Sequence, residues 1–208
     1  MNFKLISVLA AGLLSAAPAF STPITLDFEG ASSFSSIDGF YNGGTDSSGA
    51  SGANVGVLFG GDALALQNDV LGPYFSNAPT AGTVMAPVGA DATLNSSAGF
   101  SGTASFFYSS SAATSVSVFS GLNGTGSLLG TFNLLSNAQN GCSDTAFCHW
   151  DEASLNFGGV AQSILFGNAA SVAAFDNVSI APVPLPAAIW LLGSSLIGLG
   201  GIARRRKA

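Results

Sequence analysis

The sequence predicts an all-β domain, a β-sandwich of short strands, carried between two terminal segments that do not belong to it. Three observations lead there. Between residues 23 and 180, short β-favouring runs alternate with Gly, Asn, Asp and Ser, and no 12-residue stretch combines helical periodicity with good helix formers. The chain is 48% hydrophobic and holds 16 Phe among 208 residues, enough apolar surface for one core in a domain of about 160 residues. Its charges are segregated: every Lys and Arg lies at an end (Lys4, Arg204, Arg205, Arg206, Lys207), and all eleven acidic residues lie between Asp27 and Asp176.

The elements follow in chain order. Residues 1–19 combine Lys4, an apolar run over 5–14 and the small residues Ala17 and Ala19. That is the plan of a secretory signal peptide, read by signal peptidase and the general secretion machinery, with cleavage after Ala19 or after Ser21. The apolar run is too short to span a bilayer, which takes about 20 residues. The ectodomain is assigned to residues 20–181. Strands are expected near 24–28, 54–59, 102–108, 115–120, 128–134, 153–157, 163–166 and 174–180, with a short one at 63–66. Gly121-Leu122-Asn123-Gly124-Thr125-Gly126 carries the turn residues that join neighbouring antiparallel strands. Residues 67–91 hold Pro73, Pro79 and Pro87 and read as a long loop or an edge strand. Seven to nine short strands favour two packed sheets, jelly-roll-like in topology, with an immunoglobulin-like sandwich as the rival. Pairing of 24–28 with 174–180 would place the two ends of the domain together.

The carboxyl end is assigned to residues 182–208. Residues 185–203 are 19 in a row without a charge, and as a helix they extend about 28 Å, close to the thickness of the hydrocarbon core. Trp190 lies in the first third of that run. Arg204, Arg205, Arg206 and Lys207 follow at once and resist translocation, so the segment reads as a transmembrane helix with the domain outside the cytoplasm. Pro182, Pro184 and Pro186 keep the approach to the membrane extended and stiff.

Val183-Pro184-Leu185-Pro186, Trp190 and the Arg204–Lys207 cluster together resemble the PEP-CTERM sorting signal of Gram-negative bacteria: a Pro-x-Pro motif, a transmembrane helix and a basic end. The usual Pro-Glu-Pro stands here as Pro184-Leu185-Pro186. The resemblance implies an exosortase-type processing enzyme as partner, passage through the inner membrane, and display on or release from the cell surface alongside exopolysaccharide or biofilm. A looser resemblance to other proteins with such tails covers Leu26-Asp27-Phe28-Glu29-Gly30, the run from Ser117 to Gly126, and Phe175-Asp176-Asn177-Val178-Ser179-Ile180. It implies the same kind of sandwich and no assigned activity.

Candidate residues are few. Cys142 and Cys148 are the only cysteines, and in an exported protein they are expected to form a disulfide. A zinc set of Cys142, Cys148, His149 and Asp151 is the competing and more crowded reading. Asp27 and Glu29, on one face of a strand, and Asp176 in the last strand offer oxygen ligands for Ca²⁺ if the ends of the domain pair. Asp27 and Glu29 would also stand about 6.5 Å apart in a strand, within the range of a glycosidase pair. Tyr41, Tyr74 and Trp150 are aromatics that could stack on sugar rings.

The charge pattern excludes nucleic acid as a partner, because residues 22–183 carry no Lys or Arg. It also leaves acid–base chemistry thin, with His149 the sole histidine. The expected function is therefore a non-catalytic surface or matrix protein. A carbohydrate-binding module acting on extracellular polysaccharide is the alternative, and a glycoside hydrolase the third reading.

Overall fold

The computed structural model describes residues 22–68 and 74–183. The expected signal peptide, the expected transmembrane helix over 185–203, Pro184, Leu185, Pro186, Trp190 and the basic cluster from Arg204 to Lys207 lie outside them. Among the described residues no helix is long and apolar enough to cross a membrane.

The described chain is all β and sandwich-like. It forms β1 (Ile24–Leu26), β2 (Ser35–Ser36), β3 (Leu58–Phe59), β4 (Ala63–Gln67), β5 (Thr83–Pro87), β6 (Thr93–Ser110), β7 (Thr114–Phe119), β8 (Leu128–Leu134), β9 (Asp151–Leu165) and β10 (Ala173–Pro182). The order across the sheet is β2-β4-β5-β10-β6-β9-β7-β8, with β1 added to β10 and β3 to β6. All the strand pairs are antiparallel.

Two long strands make the sheet fold over. β6 and β9 pair from Thr93↔Leu165 to Tyr108↔Asp151, with register shifts between Asn95 and Phe100 and between Ser101 and Gly102. Gly99 and Gly102 hold φ of +80° and +83° there, a region that favours glycine. Bulges of this kind bend a strand, so the halves of β6 and β9 serve different layers. Their 102–108 and 151–157 halves continue the β10–β5–β4 layer, and the 163–165 half of β9 carries β7 and β8.

Between the layers lies one aromatic centre. The Phe106 ring is 4.5 Å from Phe132, 5.1 Å from Phe175 and 5.9 Å from Phe166. All four are buried. A second, smaller cluster of Phe75, Val84, Ala86 and Ala174 lies apart from this core. Strand β5 is buried at all five positions because it contributes to both. This is why residues 83–87 lack the alternation of a one-sided strand, and why a segment expected as a long loop or an edge strand holds an interior strand between β4 and β10.

Candidate functional site

The ends of the domain meet as expected: β1 lies on β10 with Ile24↔Ile180, Thr25↔Ser179 and Leu26↔Val178. Asp27, Glu29 and Asp176 converge on this pair, but not as a strand face. β1 stops at Leu26, and Phe28 takes φ +60° with its ring in the core. The two-residue spacing of Asp27 and Glu29 therefore does not carry strand geometry, which corrects the expectation behind both the shared face and the glycosidase pair.

Each carboxylate meets its own donors. Asp27 Oδ1 accepts from the Tyr41 hydroxyl at 3.2 Å and from its neighbour's amide, Glu29 N–H, at 3.2 Å. Glu29 Oε1 accepts from the Gly82 and Thr83 amides at 2.8 and 3.1 Å. Asp176 is fully buried and accepts from the Thr80 amide at 2.8 Å, the Thr80 hydroxyl at 2.8 Å and the Asn177 amide at 2.7 Å. Burial pushes the Asp176 carboxyl up to about 6, the Thr80 and Asn177 donors oppose that, and the charge of Glu29 adds to it. Asn177, at φ +50°, marks the bulge that turns Asp176 away from the core line of Phe175 and Val178.

These acids fasten a covering segment. Residues 74–82 cross the sheet from Tyr74 to Gly82, held at one end by Asp176 and Glu29 and at the other by the loop after Cys142. There Ser76 Oγ donates to Asp144 at 2.6 Å, Ser76 N–H to the Phe147 carbonyl at 3.0 Å, and Asn77 Nδ2 to the Cys148 carbonyl at 3.2 Å. Cys142 and Cys148 form the expected disulfide, with Cα atoms 6.0 Å apart. Their sulfurs are spent on each other, so the zinc set is not available even though Asp144 lies beside them. His149 Nε2 lies 3.1 Å from Asp151 Oδ1, and the other oxygen of that carboxylate accepts from Asn137 Nδ2 at 2.9 Å.

The three aromatics separate. Tyr41 is buried; its hydroxyl bridges Asp27 and the Phe28 amide, and burial pushes its own pKa upward. It cannot serve as a sugar platform. Trp150 packs against the Phe75 cluster, and its Nε1–H donates to the Ser76 carbonyl at 2.9 Å, so it too holds the cover in place. Tyr74 is 53% exposed. It borders an open groove of about 190 Å³ with Leu66, Phe75, Val88 and Phe147. Phe75 and Phe147 pack with ring centroids 5.4 Å apart beneath it. Sequence reasoning missed Phe147 and Val88, whose place in the groove depends on the disulfide loop and the sheet meeting in space. Phe34, 74% exposed at φ +62°, was missed too; its amide donates to the Ala65 carbonyl on β4 at 2.8 Å, and it does not line the groove.

The oxygens of Asp27, Glu29 and Asp176 do not gather into one ligand sphere among the described residues. In this arrangement they accept from protein donors.

No family model matches the chain, and no curated protein matches it. Among solved structures, the chain is similar to the K2 cleaved adhesin domain of Lys-gingipain (13% identity, 77% of this chain and 98% of that one, TM-score 0.41). It is also similar to the C-terminal family 6 carbohydrate-binding module of a laminarinase from Zobellia galactanivorans (14% identity, 60% and 91%, TM-score 0.38). A third likeness is to a family 43 arabinoxylan arabinofuranohydrolase from Bacillus subtilis (17% identity, TM-score 0.40), where 61% of this chain matches and it spans about a quarter (26%) of that chain.

Proposed function

We propose that this is an exported, non-catalytic β-sandwich protein that binds extracellular polysaccharide, delivered by a C-terminal sorting signal that an exosortase-type enzyme processes near Pro184-Leu185-Pro186. One observation carries the binding: Tyr74 presents an exposed ring over an apolar groove, in a domain without Lys or Arg. An aromatic face and an apolar floor suit the carbon-bound face of a sugar ring, and the missing cations favour an uncharged glycan over an acidic one. Asp27 and Glu29 support the non-catalytic half of the reading. Asp27 is tied to Tyr41, and Glu29 to the Gly82 and Thr83 amides.

A glycan array probed with the mature protein tests the binding. Neutral glycans should be retained and Tyr74→Ala should lose at least tenfold in affinity; retention unchanged in Tyr74→Ala removes the groove as the site. Mass spectrometry of the protein from its native host tests the sorting: a mature chain ending before Arg204 is expected, and an intact Arg204–Lys207 end contradicts processing.

A further inference from the structure

Gly121-Leu122-Asn123-Gly124-Thr125-Gly126 is braced far beyond what a β7–β8 connection needs. Asn123 N–H donates to Asn95 Oδ1 at 2.7 Å, and Gly124 N–H to Ser163 Oγ at 3.0 Å. Ser163 Oγ in turn donates to the Gly121 carbonyl at 2.6 Å. Inside the turn the Thr125 amide and hydroxyl both reach the Leu122 carbonyl, at 3.1 and 2.7 Å. Asn123 rests at φ +55°, a conformation Asn tolerates better than most residues. The result is a rigid tip that holds Leu122 (39% exposed) and the exposed Asn123 outward.

The tip forms one wall of an open trough of about 190 Å³. Asn42, Gly56, Leu58 and, from β6, Asn95 and Ser97 line the rest of it. Leu58 is 44% exposed and lies directly across from Asn95 in the β3–β6 ladder. Asn95 is 7% exposed, and its one side-chain N–H bond, to Thr93 Oγ1, is long at 3.3 Å. The trough shares no residue with the Tyr74 groove.

Its chemistry is specific. The exposed side-chain amides of Asn42 and Asn123 each offer both a donor and an acceptor, the Ser97 hydroxyl adds one of each, and two exposed leucines supply apolar surface. From Ala92 to Ser143 the chain has no charged residue. None of the residues that line the trough is charged, so neither an anion nor a cation meets an opposite charge among them. Adjacent hydroxyls on an uncharged ring are what paired amides recognise, and a fixed turn loses little entropy on binding them.

We propose that this trough is a second, independent binding site for a neutral saccharide. It rests on the reading of the domain as a glycan binder and adds a site at the turn. The test is calorimetry of the full-length mature protein with cellohexaose, xylohexaose and laminarihexaose, for wild type, Tyr74→Ala and the double variant Asn42→Ala/Asn123→Gly. Both asparagines of the double variant are exposed, and Gly keeps the φ of position 123, so the fold is retained. The proposal expects two sites per chain in wild type for at least one hexaose and one site in each variant. One site in wild type, lost in Tyr74→Ala and unchanged in the double variant, overturns the trough and leaves the broader reading standing. No heat with any of the three hexaoses overturns both.

Discussion

Asp176 should make the domain more stable in mild acid than at neutral pH. Its ordinary value is 3.8, and in the fold it is pushed up to about 6 by burial. A carboxyl raised on folding binds its proton more tightly in the native state. Its contribution is therefore complete below the unfolded value and is lost as pH rises through the folded one. A gap of roughly 2 units at about 1.4 kcal/mol each gives about 3 kcal/mol between pH 4 and pH 7. In a domain of this size that is roughly 6–12 °C in Tm, at about 2–4 °C per kcal/mol. The assay is thermal and urea unfolding of the mature protein from pH 4 to 8, beside Asp176→Asn. The variant is uncharged throughout and keeps an acceptor for the Thr80 donors, so its profile over this window should be nearly flat. Asp46 does not confuse the comparison. Burial would raise its pKa, but the Ser32, Ala50 and Ser48 donors outweigh that and hold it below the ordinary value. Its stabilisation is lost only as pH falls through that lowered value, outside the window. Stability that is flat or rising from pH 4 to 7 in wild type, or a slope preserved in Asp176→Asn, would refute the reasoning.

Four further outcomes are expected. Phe106→Ala removes the ring that meets Phe132, Phe166 and Phe175 and should cost about 3–5 kcal/mol in urea unfolding. Replacing Cys142 and Cys148 by Ser opens a six-residue separation and should cost about 2 kcal/mol, with hydrogen exchange rising first in residues 74–82 because Asp144 and the Cys148 carbonyl anchor them. Asp46→Ala strands the amides of Ser32, Ser48 and Ala50 and should cost about 2 kcal/mol, read by the same unfolding curves. EDTA should leave Tm within about a degree, since protein donors occupy the oxygens of Asp27, Glu29 and Asp176; a clear fall in Tm, absent in Glu29→Gln, would instead establish calcium there.

The strands the sequence marks best are those with one wet face. Residues 128–134 coincide with β8, bounded by a glycine-rich turn, and the expected run 115–120 differs from β7 by one residue at each end. Strand β5 is hidden because both of its faces are covered, and a Pro at its end reads as a break. Residues 93–101 are hidden for another reason: Thr93, Asn95 and Ser96 are polar yet buried, Asn95 satisfied by the amide of Asn123 twenty-eight residues away. The expected runs 153–157 and 163–166 are one strand, β9, continuous through a bulge.

The site divides the same way. The meeting of Asp27, Glu29 and Asp176 was legible because it needs only that the first and last strands lie side by side, as β1 and β10 do. Their separate donors were not, since these depend on Phe28 leaving the strand and on residues 80–83 crossing over. Exposure decided between the aromatics: Tyr41, Tyr74 and Trp150 are equivalent as letters, and only packing leaves Tyr74 facing solvent while Tyr41 is buried and Trp150 braces the cover.

Affinity electrophoresis of the mature protein through gels cast with neutral polysaccharide, with reducing ends assayed in the same gels, tests the central claim most directly. Wild type should be retarded by at least one neutral polymer, Tyr74→Ala should migrate faster in that gel, and no reducing ends should accumulate. Unretarded migration in every neutral gel would contradict glycan binding. Reducing ends released by wild type and lost in Asp27→Asn or Glu29→Gln would contradict a non-catalytic role.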